Sequence, residues 1–194
     1  MRLWLVWVLL ISLPAWAAQA ENPSDLDAWL SHVAKATEQL SYEGTYIYQR
    51  DDNVEISHIA HRKDRAGELS KLDALSGPPH AFVRVNDAVY CYIPDGDQVK
   101  VERHQHYKFF PALLPSSTAT LTKHYSLSSL GQAHIADHDS FGVSLTPLDE
   151  YRYSYAVWAD MKTGLLLKLV KFDNQQNVSG QFTFTQVDIG QATD

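Results

Sequence analysis

The chain has 194 residues, of which 45% are hydrophobic, 20% charged and 11% aromatic. That is a globular composition, and it excludes collagen-like and intrinsically disordered classes. Lys and Arg number 16 against 23 Asp and Glu, for a formal net charge of −7, so no global basic field exists to draw nucleic acid. A single cysteine, Cys91, rules out an intrachain disulfide and a cysteine-based zinc cage.

Residues 1–20 read MRLWLVWVLLISLPAWAAQA. Arg2 supplies a positive start, Leu3 to Leu13 is apolar apart from Ser12, and Pro14 ends the run before Ala18-Gln19-Ala20. This order of basic, apolar and small-residue regions predicts a secretory signal peptide cut after Ala20. The mature chain, 21–194, is then exported, does not span a membrane, and forms one domain without disulfides.

The spacing predicts a helix over 24–40, with Ser24 as its N-cap and Asp25 and Asp27 in its first turn. Leu26, Trp29, Leu30, Val33, Ala34 and Leu40 make its apolar stripe. Almost everything after it reads as strand. Tyr42–Arg50 alternates, with Tyr42, Gly44, Tyr46 and Tyr48 on one face. Strands follow at 54–63, 68–75, 81–85, 89–93 and 98–104, then at 141–146, 152–159, 165–172 and 178–188, separated by Asp-, Asn- and Gly-containing turns. Gly164 is assigned a positive φ in the turn 160–164.

About ten short strands at regular spacing predict a meandering antiparallel sheet. The predicted fold is mainly antiparallel β with helices (α+β). It is a curved, open half-barrel packed against the N-terminal helix and a helical or loop insertion. The insertion lies in 107–130, where Phe109, Phe110, Leu113 and Leu114 cluster around Pro111 and Pro115. The prolines forbid a long helix or a central strand there.

No sequence element carries catalysis. There is no G-x-S-x-G elbow, P-loop, G-x-G-x-x-G or H-E-x-x-H. The pairs His58/His61, His104/His106 and His134/His138 have unspecific spacings and read as solvated strand histidines, with His134 and His138 sharing a strand face. Cys91, between Tyr90 and Tyr92, reads as a buried thiol. No enzyme activity, catalytic residue, metal or cofactor is expected. The remaining signal is aromatic and apolar. It gives a hypothesis for an acyl pocket gated by Phe109, Phe110, Leu113 and Leu114 and lined by Tyr153, Tyr155 and Trp158.

The runs Leu40-Ser41-Tyr42-Glu43-Gly44-Thr45-Tyr46-Ile47-Tyr48, Leu75-Ser76-Gly77-Pro78-Pro79 and Cys91-Tyr92-Ile93-Pro94-Asp95 resemble the MucB/RseB N-terminal domain. So do Phe110-Pro111-Ala112-Leu113-Leu114, Trp158-Ala159-Asp160 and Phe182-Thr183-Phe184-Thr185-Gln186, in the family's order. The resemblance implies a LolA/LolB-like unclosed β-barrel in the periplasm. It implies a negative regulator of the envelope-stress sigma factor that binds the periplasmic part of an anti-sigma factor of the RseA/MucA type. Bound there, it shields that segment from proteolysis and senses a lipid or lipopolysaccharide-like ligand. A lipid or lipoprotein carrier of the LolA type is the alternative on the same fold. Where the family has an arginine-containing strand, residues 133–139 read AHIADHD. The family's full chain continues into a smaller C-terminal domain that is not found before Asp194.

Overall fold

The structure is a computed structural model that describes residues 22–86, 88–95, 98–104, 118, 121 and 123–190. Its helix, α1 (Leu26–Gln39), starts two residues later than the 24–40 read from the sequence. The cap is Asp25, not Ser24: its carboxylate accepts the N–H groups of Asp27 and Ala28, each at 3.0 Å. Those are two of the donors a helix start leaves unpaired. The helix ends as Leu40 swings to extended backbone, its N–H still held by the Ala36 carbonyl. Trp29, Leu30, Val33, Ala34, Ala36 and Thr37 are buried, and each fully buried leucine contributes roughly 1.5–3 kcal/mol.

Two meanders follow. The first runs β1 (Tyr42–Arg50), β2 (Asn53–Asp64), β3 (Gly67–Ala74), β4 (Ala81–Val85), β5 (Ala88–Asp95) and β6 (Gln98–His104). The second runs β7 (Tyr125–Ile135), β8 (His138–Pro147), β9 (Ser154–Asp160), β10 (Leu166–Phe172) and β11 (Val178–Ile189). All pairs are antiparallel, and the order is β6-β5-β4-β3-β2-β1-β11-β10-β9-β8-β7. The chain walks outward from β1 to one edge, restarts at the other edge, and walks back until β11 pairs with β1. Among the described residues the edges β6 and β7 share no pairing, so the sheet is open, as expected, and it has eleven strands where about ten were read.

The strand not read is β7. Its sequence, YSLSSLGQAHI, lacks clean alternation, and Gly131 sits at a register irregularity with φ +79°. His134 and His138 therefore do not share a strand. They lie on β7 and β8, joined by a two-residue turn in which Ala136 and Asp137 both have positive φ. Gly164 does have φ +79°, and a Cβ there would stand 2.5 Å from His32 Nε2.

One face of the sheet, the inner face, holds the core. Phe141, Val143 and Leu145 on β8 lie beside Ala159, Val157 and Tyr155 on β9, and Phe182 and Phe184 project from β11. Trp29 of α1 packs edge-on against Phe141 at 5.7 Å. Tyr42, Gly44 and Tyr46 continue this face on β1 and are buried, matching the alternation read there. The Tyr42 phenol, fully enclosed, is pushed well above its ordinary pKa by desolvation, and burial pushes that of Tyr46 up to about 12. Cys91 is buried, as expected.

The inner face of the half-barrel as candidate functional site

Crossing from β1 towards β4, the inner face changes character. The register sets Tyr42 opposite His61, His61 opposite Ser70, and Ser70 opposite Arg84. This is one cross-strand row of four polar or amphipathic side chains. Tyr42, His61 and Ser70 are fully buried and Arg84 partly so. The expectation of solvated strand histidines therefore fails at His61. It shares parity with Ser57 and Ile59 on β2, and that parity points inward.

His61 is held by its surroundings. Its Nδ1–H donates to the Leu40 carbonyl at 2.7 Å, and its ring lies 4.9 Å from that of Tyr42. The other nitrogen, Nε2, has no hydrogen-bond partner and stands 3.5 Å from the Glu68 carboxylate. Burial lowers the pKa of His61, against the raising effects of the Leu40 carbonyl and Glu68. The Ser70 hydroxyl is likewise buried and unpaired. Glu68 collects three bases at long range: His61 at 3.5 Å, Lys63 at 3.7 Å and Arg84 at 3.8 Å. None is a well-formed charge-assisted hydrogen bond, which would be nearer 2.7–2.9 Å. The cluster runs from half-exposed Lys63 to the closed floor at His61 and Ser70.

Of the acyl-pocket residues named from the sequence, Phe109, Phe110, Leu113 and Leu114 lie outside the described residues. Tyr155 is on the inner face, half-buried against the core, with its ring 6.2 Å from that of Tyr125. Trp158 is one residue out of phase with Val157 and lies on the opposite face. It covers Gly142, where a Cβ would stand 2.4 Å from Nε1, and Lys168 Nζ sits 5.2 Å from its ring. Tyr153, 43% exposed, precedes β9 and takes Lys171 Nζ over its ring at 3.7 Å. The three aromatics thus do not line one surface.

A second concavity, a cleft of about 760 Å³, lies where the β7–β8 turn approaches the end of β11. His138 spans it, with Nδ1 3.3 Å from Asp160 Oδ2 and Nε2 3.1 Å from the Val187 carbonyl. Asp160 is committed to structure: its other oxygen accepts from the N–H groups of Lys162 and Thr163 and from the Thr163 hydroxyl. The contact reaches from β8 to β11 across two intervening strands and shows how far the sheet curls at this end. Among the described residues, no group of His, Cys, Asp and Glu is placed to hold a metal ion.

An open antiparallel half-barrel, with a helix on its inner face and a polar floor beside it, defines a binding scaffold. The chain belongs to the MucB/RseB family: the model of the MucB/RseB N-terminal domain matches residues 25–194. It is 32% identical over 180 residues to the sigma factor AlgU regulatory protein MucB of Pseudomonas aeruginosa, covering 91% of this chain and 54% of that protein. It is 23% identical over 190 residues to the sigma-E factor regulatory protein RseB of Escherichia coli K12, covering 98% and 60%. Among solved structures, it is similar to the Pseudomonas aeruginosa MucA/MucB complex, with TM-score 0.72 and 27% identity over 88% of this chain and 59% of that one. The fold alone is shared with the Mycobacterium tuberculosis lipoprotein LppX, at TM-score 0.51 and 13% identity over 87% and 97%. The chain spans about half the length of the curated relatives it matches.

Proposed function

We propose that the chain is the N-terminal domain of a negative regulator of the envelope-stress sigma factor. It binds the periplasmic part of a membrane anti-sigma factor of the MucA/RseA type and shields that segment from proteolysis. On this reading it is a binding protein and not an enzyme. Residues 1–20 direct it to the periplasm, and the half-barrel receives a lipid-like ligand. Among the described residues no helix is long and apolar enough to cross a membrane.

The observation that carries the reading is the similarity to MucB in its complex with MucA, over 88% of this chain. The inner face supplies the means: a sheet left open along two edges, with buried polar atoms unpaired on its floor. The test is calorimetric titration of the mature chain with the periplasmic segment of its cognate anti-sigma factor, followed by protease challenge of that segment. Saturable binding with slowed cleavage is the expected result. Transfer of a lipoprotein between membranes, without any interaction with the segment, would instead make the chain a carrier.

A further inference from the structure

The two sides of β11 are not paired over the same length. On one side β11 pairs with β1 as far as Ile189. On the other, its register with β10 ends at Thr183. Beyond that point the Val187 carbonyl points away from β1 into the cleft at the β7–β8 turn, where His138 Nε2 meets it at 3.1 Å. Gly190 fits the same alternation: its N–H turns back to β1 and donates to the Ser41 carbonyl at 2.7 Å. His138 thus supplies a bond to β11 where β10 no longer does.

The two contacts of His138 place a demand on its ring. Nε2 faces the Val187 carbonyl, Nδ1 faces Asp160 Oδ2 at 3.3 Å, and both oxygens are acceptors. Asp160 accepts on its other side too, from the N–H groups of Lys162 and Thr163 and from the Thr163 hydroxyl. A neutral imidazole has one N–H and can serve only one of the two oxygens; an imidazolium has two and serves both. The backbone beneath the ring is fixed, because His138 closes the hairpin opposite Ile135 and the Asp139 carbonyl accepts the Met161 N–H at 2.9 Å. The ring is a quarter exposed, so its protons exchange with solvent. The other charged groups of the cleft are His134 on β7, Asp137 on the β7–β8 turn, Lys162 on the β9–β10 turn and Asp188 on β11. His134 is occupied at the rim, 3.6 Å from Asp137 and 3.2 Å from Asp139. Carboxylates outnumber fixed cations around the cleft, which suits a cation at its centre.

We propose that His138 is a proton-operated clamp across the gap between β8 and the end of β11. With both ring protons in place it joins Asp160 and Val187 at once and holds the cleft closed. Histidine gives up one of these protons between about pH 5 and 8. The proton that stays is the one on Nδ1, because a hydrogen bond to a carboxylate is stronger than one to a backbone carbonyl. Nε2 then presents a lone pair to the Val187 carbonyl, that contact is released, and the end of β11 is held from the β1 side. Acid closes the cleft and alkali loosens it, with no ligand required.

The test is a pH series on the isotope-labelled chain, read by NMR from about pH 5 to about pH 9 so as to span the histidine range. At the acidic end both ring nitrogens of His138 should carry protons, and at the alkaline end only Nδ1 should. The Val187 carbonyl carbon should shift with the same midpoint as the ring. The Asp188 amide, opposite Glu43 on β1, should be protected from exchange about threefold or more better in wild type than in His138→Ala at the acidic end, and equally in both at the alkaline end. His134→Gln, at the exposed rim, should leave these signals unchanged. Should His138→Ala fail to fold, the ring and the Val187 carbonyl of the wild type still decide the matter. A ring with one proton at every pH, or a Val187 carbonyl that does not follow the ring, would overturn the clamp. Retention of the proton on Nε2 at the alkaline end would overturn it as well, since the Val187 contact would then persist. Equal Asp188 protection in both chains at the acidic end, or a Val187 shift that disappears in His134→Gln, would do the same.

Discussion

The two halves of the sheet, divided at the β1–β11 pair, treat the same inner face in opposite ways. On the β8–β11 side two neighbouring cross-strand rows are apolar: Phe141 beside Ala159, and Val143 beside Val157, which pairs with Leu169 and that in turn with Phe182. The helix α1 covers this half, and Leu30 and Val33 are fully buried there. On the β1–β4 side one row reads Tyr42, His61, Ser70, Arg84, with unpaired polar atoms left on a closed floor. One half is packed with apolar side chains, and the other keeps buried polar atoms without hydrogen-bond partners. Similar burial therefore does not mean similar purpose, and the halves should respond differently to substitution.

The largest effect should come from the packed half. Leu30→Ala opens a cavity beneath α1 and should cost about 2–5 kcal/mol in urea unfolding; a loss under 1 kcal/mol would mean the helix is not part of the core. Gly44→Ala tests the seam between the halves. A Cβ at Gly44 would stand 2.4 Å from the Gln186 carbonyl of the paired strand, a backbone atom that cannot swing aside. The strain should cost about 1–3 kcal/mol, and unchanged stability would show that the β1–β11 pair is looser than its register implies.

The polar half should reveal itself through pH. Unfolded, His61 takes a proton near its ordinary 6.5, while burial holds the folded group lower. Between those values the unfolded chain binds more protons. The contribution of His61 is therefore complete above 6.5 and lost as pH falls below it, with a slope of up to about 1.4 kcal/mol per pH unit. The difference between wild type and His61→Asn should narrow steadily as pH is lowered through that window; parallel stability curves would contradict the burial. Smallest of all should be Ser70→Ala. Ser70 is as buried as Leu30, yet its hydroxyl has no partner to lose, so the variant should match or slightly exceed wild-type stability, within about 0.5 kcal/mol. A loss above 1 kcal/mol would mean that the hydroxyl is paired in solution.

Much of the fold was legible in the sequence because local chemistry repeats what the tertiary structure needs. The α1 stripe is evident from spacing alone. The β2–β3 and β9–β10 turns follow from Asp64 and Asp160, whose carboxylates cap their own backbones. Strand β7 was hidden because an edge strand need not alternate, and its turn uses Ala136-Asp137 in place of the usual asparagine or glycine. The polar row was hidden for another reason. Parity on β2 places His61 with Ile59, but nothing local says that a histidine, a serine and an arginine on three separate strands meet under cover. Only the register brings them together. The face of β9 that Trp158 occupies was hidden the same way, since aromatic character does not reveal it.

The division of the sheet is tested most directly by amide hydrogen exchange along the whole chain, free and with the periplasmic anti-sigma segment added. Amides of α1 and β8–β11 should be the slowest to exchange in the free protein and should change little on addition, because that half is already packed. Added protection should appear in β2–β4, around His61, Glu68, Ser70 and Arg84. Ligand-induced protection confined to β8–β11, with β2–β4 unchanged, would contradict the assignment of the polar half to binding.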